Sequence, residues 1–286
     1  MKTILTTTML ALALLTSCSE KQTTLEVVSF NVRLDHEGDG INQWKNRVPL
    51  VTDYLREIQP DILGMQEVLP NQLADLKEIL AGYESVSAGR MDGRSEGEAC
   101  PVFYNKEVFE LLDKGHFWLS ETPDEPGSMN WDTHFPRIVT WVNLKQKTSG
   151  KEFFFFNTHY SHVSEEAREK SSELLVKQIT QIAGSHPVIL TGDFNTPAGS
   201  APYNRLIAGE GNQVRLKDAE SLAETVINGD VTYNAFDPGF EGKRIDFIFV
   251  NDSFDVKMHA VDEVRKDSLF VSDHFPVRGN VILKGE

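Results

Sequence analysis

The sequence predicts one α/β domain over residues 25–286, with mixed β-sheets and helices packed on their outer faces. Three observations carry that prediction. Short apolar runs that read as strands recur from residue 25 almost to the end of the chain. A few segments with helical apolar spacing are interspersed among them. After residue 24 there is no internal repeat, low-complexity tract or linker, and 40% hydrophobic residues in a 286-residue chain suffice for a sizeable core.

The first strand covers residues 25–32 and ends at Asn31-Val32-Arg33. A polar, glycine-containing loop at 35–40 leads to a helix over 44–58, whose apolar positions are Trp44, Val48, Val51, Leu55 and Ile58. A short apolar strand at 61–65 ends at Gln66-Glu67. Pro70 opens a second helix over 71–80, where its missing N–H costs nothing, and Gly82 follows the helix end. Strands are expected at 83–88, 100–104 and 108–119, with exposed loops at 89–98 and 120–133. Residues 138–144 and 152–158 form a hairpin across Thr148-Ser149-Gly150. Ser164 caps a long helix to about residue 183, and Glu165 and Glu166 suit its first turn. A strand at 187–190, a short helix at 201–208, and strands at 245–250, 254–264 and 277–283 complete the chain.

Charge narrows the function. The net charge is -15, and no run of five or more Lys/Arg occurs. A generic grip on nucleic-acid backbone needs a basic face, so tight non-specific binding to long nucleic acids is disfavoured. A small anionic substrate drawn in by a metal ion is compatible with the same charge.

The N-terminus reads as targeting. Lys2, the apolar stretch 9–15 and Leu15-Thr16-Ser17-Cys18 resemble a bacterial lipoprotein signal with its lipobox; an ordinary secretory signal is the alternative. The expectation is a signal peptide at 1–17, an acylated Cys18, a polar tether at 18–24, and a cell-envelope lipoprotein on the periplasmic or outer-membrane surface. The apolar run is too short to span a membrane as a helix. With Cys18 lipidated, Cys100 has no disulfide partner and reads as a buried small hydrophobe.

Acid, amide and imidazole groups gather at strand ends. Ile189-Leu190-Thr191-Gly192-Asp193-Phe194-Asn195 is an apolar run that stops in Gly-Asp-x-Asn. Gly192 lets the chain turn and leaves a carboxylate and a carboxamide two residues apart, which suits a divalent cation and a phosphate. Asn31, Glu67 and His159 close other strands, and Asp273-His274 precedes the last one. Asp246 alternates into an apolar strand, so its carboxylate must be paired, and His274 is the candidate partner.

Six ordered motifs then carry a family resemblance: Ser29-Phe30-Asn31-Val32, Gln66-Glu67-Val68, Asn157-Thr158-His159, Gly192-Asp193-Phe194-Asn195, Arg244-Ile245-Asp246-Phe247-Ile248 and Ser272-Asp273-His274-Phe275-Pro276. The chain resembles the endonuclease/exonuclease/phosphatase superfamily over about residues 25 to 284. The resemblance implies a deoxyribonuclease-I-like four-layer α/β sandwich, two packed mixed sheets with helices outside. Phe117 to Pro123 and Pro136 to Trp141 resemble a bacterial secreted branch, distantly similar to deadenylases and nocturnin.

The resemblance also implies roles. Glu67 is the principal metal ligand, with Asn31 beside it and Asp273 a second acid near the metal. Asp193 positions and deprotonates the attacking water, with Asn195 next to it. His159 and His274 face the phosphate, Asp246 orients His274, and Arg137 is a phosphate clamp. Hard ligands favour Mg²⁺, or Mn²⁺, over Zn²⁺. Many relatives read Thr-His-x-Asp-His where this chain has Thr158-His159-Tyr160-Ser161-His162, and His162 is read either as a substrate contact or as structural. His159-x-x-His162 lacks a further His/Cys pair at ligand spacing, which excludes a zinc reading.

The expected activity is Mg-dependent hydrolysis of a phosphodiester or phosphomonoester by a monomer. The expected substrate is a small phosphate ester, a nucleotide or a phospholipid headgroup. Two alternatives stand: a nuclease on DNA or RNA, and a non-catalytic cell-surface binding protein on the same fold. A dinuclear metallophosphatase would need an early Asp-x-His and a Gly-Asn-His motif, and neither is present. The loops at 89–98, 120–133 and 209–240 are expected to shape the pocket. Trp118, Trp131, Tyr233 and Phe236 are candidates for stacking on a ring, or for anchoring those loops.

Overall fold

The computed structural model describes residues 24–285 apart from 210 and 212; the expected signal peptide, Cys18 and the tether up to residue 23 lie outside the described residues. Among the described residues, fifteen strands follow in chain order. They are β1 (Thr24–Asn31), β2 (Ile62–Gln66), β3 (Tyr83–Val86), β4 (Val102–Asn105), β5 (Phe109–Trp118), β6 (Ile138–Gln146), β7 (Glu152–His159), β8 (Val188–Asp193), β9 (Lys217–Asp218), β10 (Thr225–Ile227), β11 (Asp246–Val250), β12 (Phe254–Val261), β13 (Arg265–Lys266), β14 (Leu269–Phe270) and β15 (Val277–Leu283). The helices are α1 (Trp44–Ile58), α2 (Pro70–Ile79), α3 (Glu165–Ala183), α4 (Ala201–Ala208) and the single turn α5 (Ala219–Leu222).

Two mixed sheets organise these elements, one in the order β10-β12-β15-β1-β2-β4-β3 and the other β5-β6-β7-β8-β11-β9. The four consecutive phenylalanines of β7 show why they stack into layers. Successive side chains of a strand point to opposite faces. Phe153 and Phe155 therefore join Val27, Ile62, Ile248 and Val281 in the core between the sheets. Phe154 and Phe156 instead meet Leu175 and Ile179 of α3 and Leu206 of α4 on the outer face. On the other sheet, Phe30, Leu63 and Met65 pack against Trp44, Val51 and Leu55 of α1 and Leu76 of α2. The result is helix, sheet, sheet, helix, the four-layer sandwich expected.

Register delivers the polar groups. β1 and β2 run parallel with Asn31 opposite Gln66, so Glu67 emerges beside Asn31. β7 and β8 run parallel with His159 opposite Asp193, and antiparallel β11 sets Asp246 opposite Asp193. The sheets are pinned together just beneath these ends. Gln66 Nε2 donates to Asn157 Oδ1 at 2.7 Å, and Asn157 Nδ2 donates to the Met65 carbonyl at 2.7 Å. Gly64 sits at this crossing, where a Cβ would overlap the side chains of Thr191 and Asn157; only glycine lets the sheets come so close.

Several expected boundaries move. Pro70 is itself the first residue of α2. The strand expected to reach residue 264 ends at Val261, and the small hairpin β13–β14 follows. Residues 209–240, expected to be a pocket-shaping loop, also contain β9, α5 and β10. β9 and β10 are edge strands of the two different sheets. At two and three residues they are too short to show a period in sequence.

Candidate active site

The strand ends converge on one cavity of about 460 Å³. Glu67, Arg137, His159, His162, Asp193, Asn195, Asp273 and His274 line it, so eight expected site residues meet there. The other two stand directly behind: Asn31 bonds Glu67 and Asp193, and Asp246 bonds His274.

The loop after each strand sets its geometry. Glu67 has φ 62° and Asn195 has φ 49°, left-handed backbone at non-glycine residues. Such conformations cost of order 1–3 kcal/mol each and persist where surrounding contacts over-determine them. Here those contacts are visible. Glu67 Oε2 accepts from the Leu34 N–H at 3.0 Å, and the Asn195 N–H donates to Asp193 Oδ1 at 2.9 Å. Asn31 links the two carboxylates, its Nδ2 lying 3.0 Å from Glu67 Oε1 and 3.0 Å from Asp193 Oδ2. Its Oδ1 accepts from the Arg33 N–H at 2.9 Å.

Electrostatics are strongly perturbed. Burial, with Asp246 as a second negative charge, pushes the Asp193 pKa up to about 7, although His274 opposes the shift. Burial likewise raises Asp273 to about 6, against the pull of His274. For His274, burial alone would favour the neutral ring. Asp246, Asp193 and Asp273 outweigh it and hold the imidazole well above its ordinary pKa. Its Nδ1 lies 2.8 Å from Asp246 Oδ2, and its Nε2 lies 3.7 Å from Asp193 Oδ2. His159 goes the other way: burial, then Arg137 and Arg90, lower its pKa well below the ordinary value. Asn195 Nδ2 lies 3.0 Å from His159 Nε2 and donates to the Tyr160 carbonyl at 3.1 Å. That amide nitrogen is a donor only, so Nε2 of the neutral His159 is the acceptor.

The two histidines thus differ in charge within one cavity, which yields a test. Activity that uses the His274 imidazolium is lost as pH rises through its raised pKa. Asp246→Asn removes the principal charge that raises it. The expected result is an alkaline limb of the kcat profile displaced to lower pH, with kcat down roughly 10²-fold. A limb that stays in place would show that Asp246 does not set the His274 charge.

A cation would fit this donor set. One oxygen each of Glu67 and Asp193 and one nitrogen of His159 lie within 4.8 Å of one another, and so do ligand atoms of Asp193, Asp246 and His274. A buried carboxylate such as Asp193, raised by burial and crowded by Asp246, is the condition that a divalent cation relieves. Asp273, expected near the metal, belongs to neither group; its carboxylate lies 3.7 Å from Arg33 Nε.

Some of the cavity wall escaped sequence reasoning. Arg33 lies 4.0 Å from Glu67 Oε2 and 3.0 Å from Asp39 Oδ2. Its position directly after the first motif was the available signal. Arg90, Glu98 and Phe135 also line the cavity and had no sequence signal beyond their loops. Of the four aromatics singled out, Tyr233 lines the cavity, with its ring centroid 5.0 Å from that of His274. Trp118 is instead buried and donates to the Arg90 carbonyl, and Phe236 packs on Phe270. Cys100 is buried, its pKa pushed up to about 12 by desolvation, consistent with an inert thiol. Ser161, where relatives carry an acid, accepts from the N–H groups of Val163 and Ser164 and shapes the turn before α3.

Comparison with known proteins points the same way. Residues 28–274 match the sequence profile of the Endonuclease/Exonuclease/phosphatase family. The crystal structure of an endonuclease/exonuclease/phosphatase from Bacteroides vulgatus is 38% identical, with a TM-score of 0.88 over 92% of this chain and 100% of that one. A mannosyl-6-phosphatase from Bacteroides thetaiotaomicron is 36% identical, with a TM-score of 0.83 over 91% of this chain and 100% of that one. The human nocturnin catalytic domain shares the fold at 18% identity, with a TM-score of 0.72 over 91% of this chain and 94% of that one.

Proposed function

The chain belongs to the endonuclease/exonuclease/phosphatase family, and on that premise we propose that it is a metal-dependent hydrolase of small phosphomonoesters, working by in-line attack of an activated water. The observation that carries the proposal is the meeting of Glu67, Asp193, Asn195, His159 and His274 in one cavity, with Asp193 raised and the two histidines shifted in opposite directions. The narrowing to monoesters is supported by the relative named a mannosyl-6-phosphatase and by a cavity near the small end of the range for small-molecule sites, roughly 300–1,000 Å³.

Asp193 is the base. Its Oδ1 is held by the Asn195 N–H and its Oδ2 by Asn31, so the carboxylate cannot swing away from the water it deprotonates. His274, kept charged by Asp246, donates from Nε2 to a phosphoryl oxygen as negative charge grows there. Arg137 brings a second fixed cation to the phosphoryl group, and His162 steadies it, Nη2 lying 2.9 Å from His162 Nδ1. Neutral His159 adds no positive charge beside Asp193 and so leaves the base basic. Glu67 would hold Mg²⁺ or Mn²⁺, which would neutralise the phosphoryl group and ease departure of the leaving oxygen. Asn31, expected as a second ligand, instead turns its Nδ2 to Glu67 and its Oδ1 to the Arg33 N–H, and so positions the Glu67 carboxylate. The envelope lipoprotein anchored at Cys18 stays part of this reading, because scavenging small phosphate esters outside the cytoplasm suits an acidic, tethered enzyme.

Turnover of hexose phosphates, nucleotides, inositol phosphates, phospholipids and oligonucleotides, each with and without Mg²⁺, tests the proposal. Small monoesters are expected to give the highest kcat/KM. Preferred cleavage of oligonucleotides would make the protein a nuclease instead.

A further inference from the structure

We propose that the Arg90–Glu98 pair in the cavity wall is a specificity element that reads hydroxyl groups on the alcohol half of the substrate, selecting a phosphate ester of a hexose-sized polyol. The inference rests on the hydrolase reading and deepens it. Neither residue belongs to the six motifs. Both come from a Gly-rich charged loop that folds back against the strand-end cluster. The Ala99 N–H donates to the Val68 carbonyl at 2.8 Å, which fixes Glu98 next to the strand that carries Glu67. The Arg90 N–H donates to the Glu98 carbonyl at 3.0 Å, and Trp118 Nε1 donates to the Arg90 carbonyl at 2.7 Å.

The side chains are equally constrained. Arg90 Nη1 and Nη2 reach the two Glu98 carboxylate oxygens at 2.9 and 2.7 Å, a bidentate pair. The guanidinium sits 4.6 Å from the Phe135 ring centroid. Arg90 is 7% exposed and Arg137 4%. Arg90 Nε, Arg137 Nε and Arg137 Nη1 are buried and have no hydrogen-bond partner among the described residues. Buried donors of this kind are costly unless something pairs them.

The chemistry of the wall selects the ligand. With Arg137 given to the phosphoryl group, the wall holds Arg90 Nε, a buried N–H without a partner among the described residues, beside the Glu98 carboxylate acceptor. A hydroxyl is both acceptor and donor, so a polyol can satisfy both at once. A second phosphate would pair with the Arg90 guanidinium but meet the Glu98 charge. An alkyl or aryl group would leave the buried donor unpaired. Sites built to bond hydroxyls reject analogues that lack them far more strongly than apolar pockets reject a changed methylene.

Steady-state kinetics of wild type, Glu98→Gln and Glu98→Ala on a hexose 6-phosphate and on phenyl phosphate test this. Wild type is expected to prefer the hexose ester. Glu98→Ala is expected to lower its kcat/KM about 30-fold more than that of phenyl phosphate, with Glu98→Gln between. An equal fall on both esters, or an unchanged ratio, overturns the proposal and leaves Glu98 a structural partner of Arg90. If wild type hydrolyses neither ester, the hydrolase reading fails by itself. Calorimetric Kd values for the same two esters then read the same ratio in wild type and variants, and equal affinities overturn the specificity proposal.

Discussion

Replacing Asp193 with Ala is expected to lower kcat on a small phosphomonoester by about 10³-fold or more, as loss of a positioned general base and of its electrostatic partners should. KM should change far less, because Asp193 acts on water and not on the alcohol moiety. The protein should fold. In the metal-free state Asp193 is a buried carboxylate whose pKa is raised to about 7, so its charge is a cost to the native state. The sign follows from linkage. A carboxyl whose folded pKa lies above its unfolded value stabilises the fold only while protonated. That contribution is lost as pH rises from about 4 toward 7. Asp193→Ala should therefore be relatively more stable than wild type at pH 8 than at pH 4 when metal is absent. Thermal melts at the two pH values, run beside the kinetics, separate lost chemistry from lost folding. Near-wild-type turnover in a folded Asp193→Ala would remove Asp193 from the mechanism.

Glu67→Gln should act at a different point. The amide keeps the size of the side chain and an oxygen, but loses the charge that a hard cation requires. Activity at limiting Mg²⁺ should fall by about 10²-fold or more, and part of that loss should return at high Mg²⁺. Asp193→Ala should not be rescued in this way. The contrast distinguishes a ligand from a base within a cluster whose ligand atoms lie within 4.8 Å of one another. Identical, non-rescued losses in both variants would dissolve that division of labour.

Much of this site was legible in the sequence because each motif couples a buried strand to the polar group that ends it. Ile189 to Thr191 reads as a buried strand, but Gly192-Asp193, expected to turn out of it, stays in β8 opposite Phe247 and Asp246, and the left-handed turn comes only at Asn195. Asp246, alternating between apolar neighbours, required a partner, and the 2.8 Å contact with His274 supplies it. The parallel and antiparallel registers that set His159, Asp193 and Asp246 side by side were not legible, because pairing partners are chosen by the whole sheet. The left-handed backbone at Glu67 was hidden because glutamate does not announce a positive φ, whereas Asn195 is of a residue type that visits that region readily. Arg90 and Glu98 looked like charges on a solvated loop. Only the bridges from Ala99 to Val68 and Gly89 turn that loop inward.

Buried Arg47 was equally invisible. It sits on α1, on a face that reads as apolar, and donates to the carbonyls of Val32, Arg33, Asn42 and Val271. Those bonds tie the end of β1 to the segment leading to Asp273. Fixing the two ends relative to each other is a tertiary task, and a sequence period does not encode it.

The most direct measurement is phosphate release from a small phosphomonoester by metal-stripped protein titrated with Mg²⁺, with Glu67→Gln and Asp193→Ala in parallel. Wild type should be silent without metal and rise to saturation. Glu67→Gln should respond only at much higher Mg²⁺, and Asp193→Ala should stay silent throughout. Phosphate release by stripped wild type that Mg²⁺ does not alter would contradict a metal-dependent phosphoesterase at these strand ends.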